Sequence, residues 1–409
     1  MEQIVFFTMN DFQKEGGGTI RMLGIINELA KIKNNIILIS NIKDESKVKA
    51  NVKHISLGYE ASREDKRKIQ FRLALFNPKK LNKECPELLT KLKFVFSDLN
   101  PNSKFIFFEY LDNSIGYWLK MNKIIPGYTN DIHGIASNEF DFQAKKTTSF
   151  SSKLFFKLKK NISLKLDKKV FENADGIFYA SEAMLHYFTH LYSSLLQKKN
   201  YYLPYALNHQ NVKSADAALI QNLKKDFGIK ESDFVFLFAG AYKETGGIQD
   251  LITAFDEVAI KHKQAKLILV GDGPTMEDCK KVAKTIINKD RLFFLGRQPY
   301  DYLPSFQEMS QVLVCPDRQN LFSDLIVHVK YLDALVSGKL VINGSFKSVL
   351  EINKKQPLSL LFKPSDVKDL SLKMNEAIEN YNVLTEKFDG SKQYALQNLT
   401  YTNFIKNLN

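Results

Sequence analysis

The run Phe234–Gly344 opens FVFLFAGAYKETGGIQDLITAF, passes through LILVGDGP (Leu267–Pro274) and closes VHVKYLDALVSGKLVIN (Val327–Asn343) before Gly344. FVFLFAG is an apolar, β-rich segment that stops at Gly240. A short polar turn holding Gly246 and Gly247 follows, then a helical pattern with Leu251, Ile252 and Phe255 on one face. LILVGDGP repeats the grammar: a buried strand broken by Gly271 and Gly273 before a helix near Met276. FFLGRQPYDYLPSFQEMSQVLVCP adds a strand, a helix and a further strand, and Leu340–Asn343 another. Strands separated by helix-length segments need crossover connections, which gives an α/β unit with a parallel sheet covered on both faces. Ligands of such sheets lie beyond the carboxyl ends of the strands. A glycine turn there admits a phosphate close to the backbone, and the following helix N-terminus carries roughly half a positive charge. A glycine after a strand is also an ordinary tight turn.

Working outward, QIVFFTM reads as a strand, Glu15–Gly18 as a glycine-rich loop, RMLGIINELAKI as a helix and NIILIS as the next strand. KFIFFEYLDN, IIPGYTNDIHGI and GIFYASEAM add strand-like runs. His133 is expected at the carboxyl end of a strand, with Asp131 on the same side of the extended chain. Ser181, with Glu182 behind it, reads as a helix cap. At 409 residues the chain suits two domains of about 200 residues each. The expected boundaries are 1–208, 209–390 and a terminal helical segment 391–409 returning to the first domain.

The ordered strings strand-G-x-x-x-E-x-G-G, LVGDGP, FLGR, LP-x-F and D-A-L-x-S-G-K-x-V-I resemble the nucleotide-binding half of the family-four retaining glycosyltransferases of the GT-B fold. EGGGTIRMLGIINELAKI, NDIHG, ENADGIFYASEAM and YYLPYALN extend the resemblance over nearly the full chain. The resemblance implies two Rossmann-like domains facing across a cleft that closes on substrate. It implies an enzyme moving a hexosyl group, with retention, from a nucleotide-diphosphate sugar, a UDP-sugar among the candidates, to a glycan or lipid-linked glycan. It also implies that the leaving phosphate helps deprotonate the acceptor, so no closely spaced carboxylate pair of the glycosidase kind is needed. Gly17 and Gly18 then become contacts near the donor phosphates, a simple strand-to-helix turn being the alternative. His133 becomes a group beside the reacting sugar. Gly240, Lys243, Gly273 and Lys330 become the diphosphate seat. Asp333 falls where the family has the glutamate that binds the ribose hydroxyls. Eight residues earlier the family has a second glutamate; here Leu325 stands there with Asp324 beside it, so Asp324 is the substitute candidate. Ala241 and Thr245 likewise occupy positions where the family carries cations. These departures keep a second reading open, a non-catalytic GT-B homologue acting as a subunit of a transferase complex. An NAD-type dehydrogenase fits less well, because the first glycine loop lacks the G-x-G-x-x-G spacing.

Metal and cofactor are expected to be absent, since no D-x-D or histidine–carboxylate cluster stands out. Cys85, Cys279 and Cys315 are odd in number and far apart, which suggests neither a disulfide framework nor a zinc site. MEQIVFFTMN lacks the basic region of a signal peptide, and no run approaches the ~20 apolar residues of a membrane span. The expectation is a cytoplasmic protein, free or on the inner membrane face. The net charge of +13 is concentrated in Glu64–Lys83 and Gln143–Lys169. In the second segment Leu154, Leu158, Ile162 and Leu166 recur every fourth residue among lysines, an amphipathic basic helix. It reads either as a helix on an anionic membrane surface or as one packed on the core with its lysines in water. No nucleic-acid-binding pattern accompanies the charge.

Overall fold

The computed structural model describes residues 3–13, 17–207 and 214–406. The chain forms two units, 1–204 with 404–409 and 205–403. The first holds a seven-stranded sheet in the order β3-β2-β1-β4-β5-β6-β7, formed by Ile4–Phe7 (β1), Ile36–Ser40 (β2), Val52–Ser56 (β3), Lys104–Phe107 (β4), Thr129–Ile132 (β5), Gly176–Tyr179 (β6) and Lys199–Tyr202 (β7). The second holds a six-stranded sheet in the order β10-β9-β8-β11-β12-β13, formed by Phe234–Ala239 (β8), Ala265–Val270 (β9), Leu292–Gly296 (β10), Val312–Cys315 (β11), Leu340–Gly344 (β12) and Leu360–Phe362 (β13). Every pairing in both sheets is parallel. Helices between successive strands cover the faces, and β1, β2, β5, β11 and β12 are buried at every residue. That is why β1 and β11 read as unbroken apolar runs rather than alternating ones, whereas β5 is buried but carries Thr129, Asn130 and Asp131.

Aromatic side chains fill the first unit. Phe6 stacks on Phe108 at 5.4 Å, Phe7 lies 5.2 Å from Phe107, and Trp118 is fully buried with Nε1–H donating to Asn82 Oδ1 at 2.8 Å. The core of the second unit is mostly aliphatic, centred on Leu251, Ile252, Phe255 and Val258 of the helix Ile248–Lys261 against β8 and β9. Near the C-terminus, Leu207 N–H donates to Leu399 O at 2.8 Å inside the second unit, while the Phe404 ring meets Tyr202 edge-on at 5.6 Å inside the first.

Two local outcomes depart from the sequence reading. Gly17 and Gly18 are not loop residues but the first turn of the helix Gly17–Leu29; Glu15 and Gly16 lie outside the described residues. The glycines place helical N–H groups at that end with no side chain over them. The basic segment 143–169 divides between the helices Ala136–Lys146 and Phe150–Asn173. The second begins to enter the core at Ser163, where Leu166, Val170 and Phe171 are buried. Phe150, Leu154, Phe155 and Leu158 in its first turns are 49–82% exposed. The every-fourth stripe is therefore core at one end and bare at the other. Ser181 caps its helix as expected, accepting from Met184 N–H at 2.9 Å.

Candidate active site

In both sheets the strand order reverses beside the first strand, between β1 and β4 and between β8 and β11. Such a switch point opens a crevice at the carboxyl ends of the strands. In the second unit, the turns after β8 and β9 lie backbone on backbone. Gly240 N–H donates to Val270 O and Tyr242 N–H to Asp272 O, both at 3.0 Å. Gly271 and Gly273 have φ of +127° and +156°, and a Cβ on them would stand 1.9 Å from Gly240 O and 2.5 Å from Tyr242 O. Only glycine tolerates either position, for conformation and for space. Gly273 thus supports the turn behind Tyr242.

The loop after β11 closes on the loop after β8. Gly247, at φ +65°, comes so close to Pro316 that a Cβ would sit 1.8 Å from its carbonyl oxygen. Arg318 N–H donates to Thr245 O at 2.8 Å, and its guanidinium grips Asp250 through Nε at 2.7 Å and Nη2 at 2.6 Å. This bidentate bond strengthens the hold of Arg318 on its proton.

Charge gathers between these loops and the helix Val329–Ser337. Lys330 Nζ bonds Asp317 Oδ1 at 2.8 Å and lies over the Phe238 ring at 5.4 Å, with its stem across Gly240. Asp317 is 3% exposed, and its Oδ2 has no hydrogen-bond partner among the described residues. His328, the residue before the helix, has a buried Nε2 in the same condition. Burial lowers the pKa of His328, Asp317 opposes that, and Lys330 and Lys243 reinforce it, so the ring is neutral at pH 7. Lys243 is exposed in the turn after β8.

Asp333 stands one turn beyond Lys330 on the same helix. The two share a narrow cavity of about 30 Å³ with Ala239, Gln307 and Cys315. Burial raises the Asp333 carboxyl to about 6, against an opposing hydrogen bond from Tyr300. Asp324 is held elsewhere: its Oδ1 accepts from Lys347 N–H at 3.2 Å at the start of the helix Lys347–Ile352, and Lys347 Nζ is 3.5 Å from Oδ2. Leu325 is buried. The structure therefore brings Gly240, Lys243, Lys330 and Asp333 together, backs them with Gly273, and sets Asp324 at a helix cap.

The first unit has its own polar core at the carboxyl end of β5. Arg21, on the helix that Gly17 and Gly18 begin, bonds Asp131 through Nε at 2.9 Å and Nη2 at 2.6 Å; Nη2 also donates to Leu203 O at 2.6 Å. His133 Nδ1 lies 2.6 Å from Asp131 Oδ2. Burial works against the Asp131 charge, but Arg21 and His133 outweigh it and hold the carboxyl well below the usual range. A carboxylate on Nδ1 fixes the proton there and leaves the lone pair of a neutral ring on Nε2.

Residues 220–393 match the model of the glycosyl transferases group 1 family. That segment contains the whole cluster around Lys330. Among curated proteins, similarity extends to N-acetyl-alpha-D-glucosaminyl L-malate synthase of Bacillus anthracis, 31% identical over 116 residues, 28% of each chain. It extends also to 2-deoxystreptamine glucosyltransferase of Streptomyces kanamyceticus, 25% identical over 179 residues, 44% of this chain and 45% of that one. The chain spans at most half the length of the curated relatives it matches. Among solved structures, sucrose-phosphate synthase of Thermosynechococcus elongatus superposes with a TM-score of 0.70 at 14% identity, covering 100% of this chain and 97% of that one. HepE of Anabaena in complex with UDP and glucose does so with 0.70 and 14%, covering 100% and 98%. The fold is GT-B. Group 1 similarity supports sugar transfer and does not favour the non-catalytic reading.

Sequence reasoning missed Asp317, His328 and Arg21. A buried arginine in an otherwise apolar helix was the one available signal for Arg21. Asp317 and His328 carry no local pattern.

Proposed function

We propose that the chain transfers a hexosyl group from a nucleoside-diphosphate sugar, a UDP-sugar first among candidates, to a hydroxyl of a glycan or lipid-linked glycan. The observation that carries the reading is the convergence of Lys243, Lys330 and the start of the helix Val329–Ser337 at the β8/β11 switch point, within the group 1 segment. Two cations and a helix N-terminus meet the charge of a departing diphosphate, so the transfer is proposed to proceed without a metal ion. Asp333 accepts the ribose hydroxyls, His133 lies beside the sugar, and the configuration is retained.

The test is thermal stabilisation by UDP, GDP, ADP and their sugar conjugates. A nucleotide at a hundred times its dissociation constant adds about 2.7 kcal/mol. One nucleotide class is expected to stabilise the protein, and Asp333→Ala to weaken that class by about ten- to a hundredfold, the worth of hydrogen bonds to a charged group. Binding through a carboxylate requires the deprotonated form, so affinity should rise with pH to about 6 and level off above it. No shift with any nucleotide defeats the proposal.

The bare end of the helix Phe150–Asn173 favours a place on an anionic bilayer. Phe150, Leu154 and Leu158 offer apolar surface, and Lys153 and Lys157 are exposed beside them. The sign of charge commits the occupant to anionic lipid. Vesicles of phosphatidylcholine with phosphatidylglycerol should sediment the protein, and vesicles of phosphatidylcholine alone should not. Lys153→Gln with Lys157→Gln should weaken binding by about 2 kcal/mol, at roughly 1 kcal/mol per lysine. Equal binding to both vesicles removes the anionic-lipid reading, and binding to neither removes the membrane reading.

A further inference from the structure

We infer that Asp317 is a binding residue for the donor sugar, taking a sugar hydroxyl on its Oδ2. The inference rests on the transferase reading and adds a named contact to it. Asp317 follows β11 directly after Cys315 and Pro316, at the carboxyl end of the strand next to β8. Its carboxylate is buried, yet only Oδ1 is satisfied, by Lys330 Nζ at 2.8 Å. Oδ2 has no hydrogen-bond partner among the described residues, and a buried carboxylate oxygen left so is unfavourable unless a donor arrives. A diphosphate brings only acceptors. The groups of a nucleotide sugar that can donate to a carboxylate near the phosphates are the sugar hydroxyls.

The surroundings hold Asp317 in this state. Gly247 presses on the Pro316 carbonyl, and Arg318, the next residue, is tied to Thr245 and Asp250. The backbone on either side of Asp317 is therefore fixed. His328, whose Nε2 has no hydrogen-bond partner among the described residues, and Lys243 both act on the same small region. Asp324 is occupied as a helix cap and Leu325 is apolar, and Asp333 lies one turn further along the helix, so Asp317 is the carboxylate bonded to Lys330 itself.

One consequence separates this role from mere positioning. Asp317 shares its charge with Lys330, so Asp317→Asn removes the sugar contact and at the same time releases the lysine. UDP should then bind as well as before or several-fold tighter, while the advantage of UDP-glucose over UDP should fall by about tenfold. Lys330→Met should weaken UDP and UDP-glucose by the same factor, since both carry the diphosphate. GDP with GDP-mannose replaces this pair if the unaltered protein prefers guanine.

The measurement is calorimetric binding of both ligands to the unaltered protein and to each variant, with unfolding curves to show that the variants are folded. Donors lacking single hydroxyls supply a second arm that needs only a folded protein. Removal of one particular hydroxyl should cost the unaltered protein affinity and leave Asp317→Asn indifferent, a coupling between one protein group and one ligand group. If Asp317→Asn changes UDP and UDP-glucose equally, or if no hydroxyl couples to it, Asp317 only holds Lys330 and the inference is overturned. If the unaltered protein binds no nucleotide at all, the transferase reading itself has failed.

Discussion

Arg21→Met is expected to destabilise the first unit by about 3–5 kcal/mol, the usual effect of removing one partner from a buried ion pair. Arg21 and Asp131 are both wholly enclosed, and Arg21 also donates to Leu203 O from a different part of the unit. Without the guanidinium, the Asp131 carboxylate keeps only His133 and its burial. Trp118 is the single tryptophan of the chain and is buried in this unit, so its fluorescence follows the relevant unfolding without interference from the other. Urea titration at pH 7 should show the lowered midpoint. Asp131→Leu added to Arg21→Met should recover much of the loss, since a buried pair exchanged for apolar groups is often neutral. A loss below about 1 kcal/mol in the single variant would contradict the account. The pH dependence has a definite sign. Asp131 has a folded pKa below its unfolded one, so its contribution is complete above about 4 and disappears as pH falls further.

Asp167→Asn is expected to act in the opposite direction. Asp167 sits in the buried part of the helix Phe150–Asn173, and burial raises its carboxyl to about 8. Its charge would also disfavour ionisation of the neighbouring Tyr110, Tyr187 and Tyr192. An unfolded aspartate titrates at about 3.9. Between that value and about 8 the folded chain holds a proton that the unfolded chain has released, so stability declines as pH rises through this window. Asparagine imitates the protonated acid and has no proton to lose. The variant should match the parent near pH 4 and exceed it by up to about 5 kcal/mol at pH 8, again read from Trp118. A stability difference that does not change between pH 5 and pH 8 would refute the assignment.

The strands, the glycine turns and the spacing of Lys330 to Asp333 were legible because each is a local property of a few consecutive residues. Gly240, Gly271 and Gly273 announce close backbone approach whatever the partner. Arg21 and Asp131 were opaque as a pair, since 110 residues separate them and only the packing of the helix Gly17–Leu29 on the assembled sheet brings them together. Asp324 was weighed by its neighbour Leu325, but its partner Lys347 lies on another helix, and that contact decides its role. The fourfold spacing from Leu154 to Leu166 gave the face of a helix correctly. Periodicity carries no information on where along a helix the core stops, so the bare first turns were invisible. His328 and Asp317 belong to no motif; the turn at Gly247 and the start of a helix make them neighbours.

The strand order that opens each crevice also governs how the chain is assembled. β1 aligns Ile4 with Ile36 on one side, but on the other it waits for Lys104; β8 reaches Ala265 early and Val312 only later. Pairings so distant along the chain slow folding, because a long loop must be closed before any contact rewards it. During synthesis at about 5–20 residues per second, β1 stands for several seconds with one edge unpaired. Its sequence, IVFF, is apolar throughout, the kind of edge that recruits other chains. The bond from Arg21 to Leu203, 182 residues apart, waits until nearly all of the first sheet has been made. Yield of folded protein, and its demand for chaperones, should therefore respond most to changes at the strands that flank the switch points.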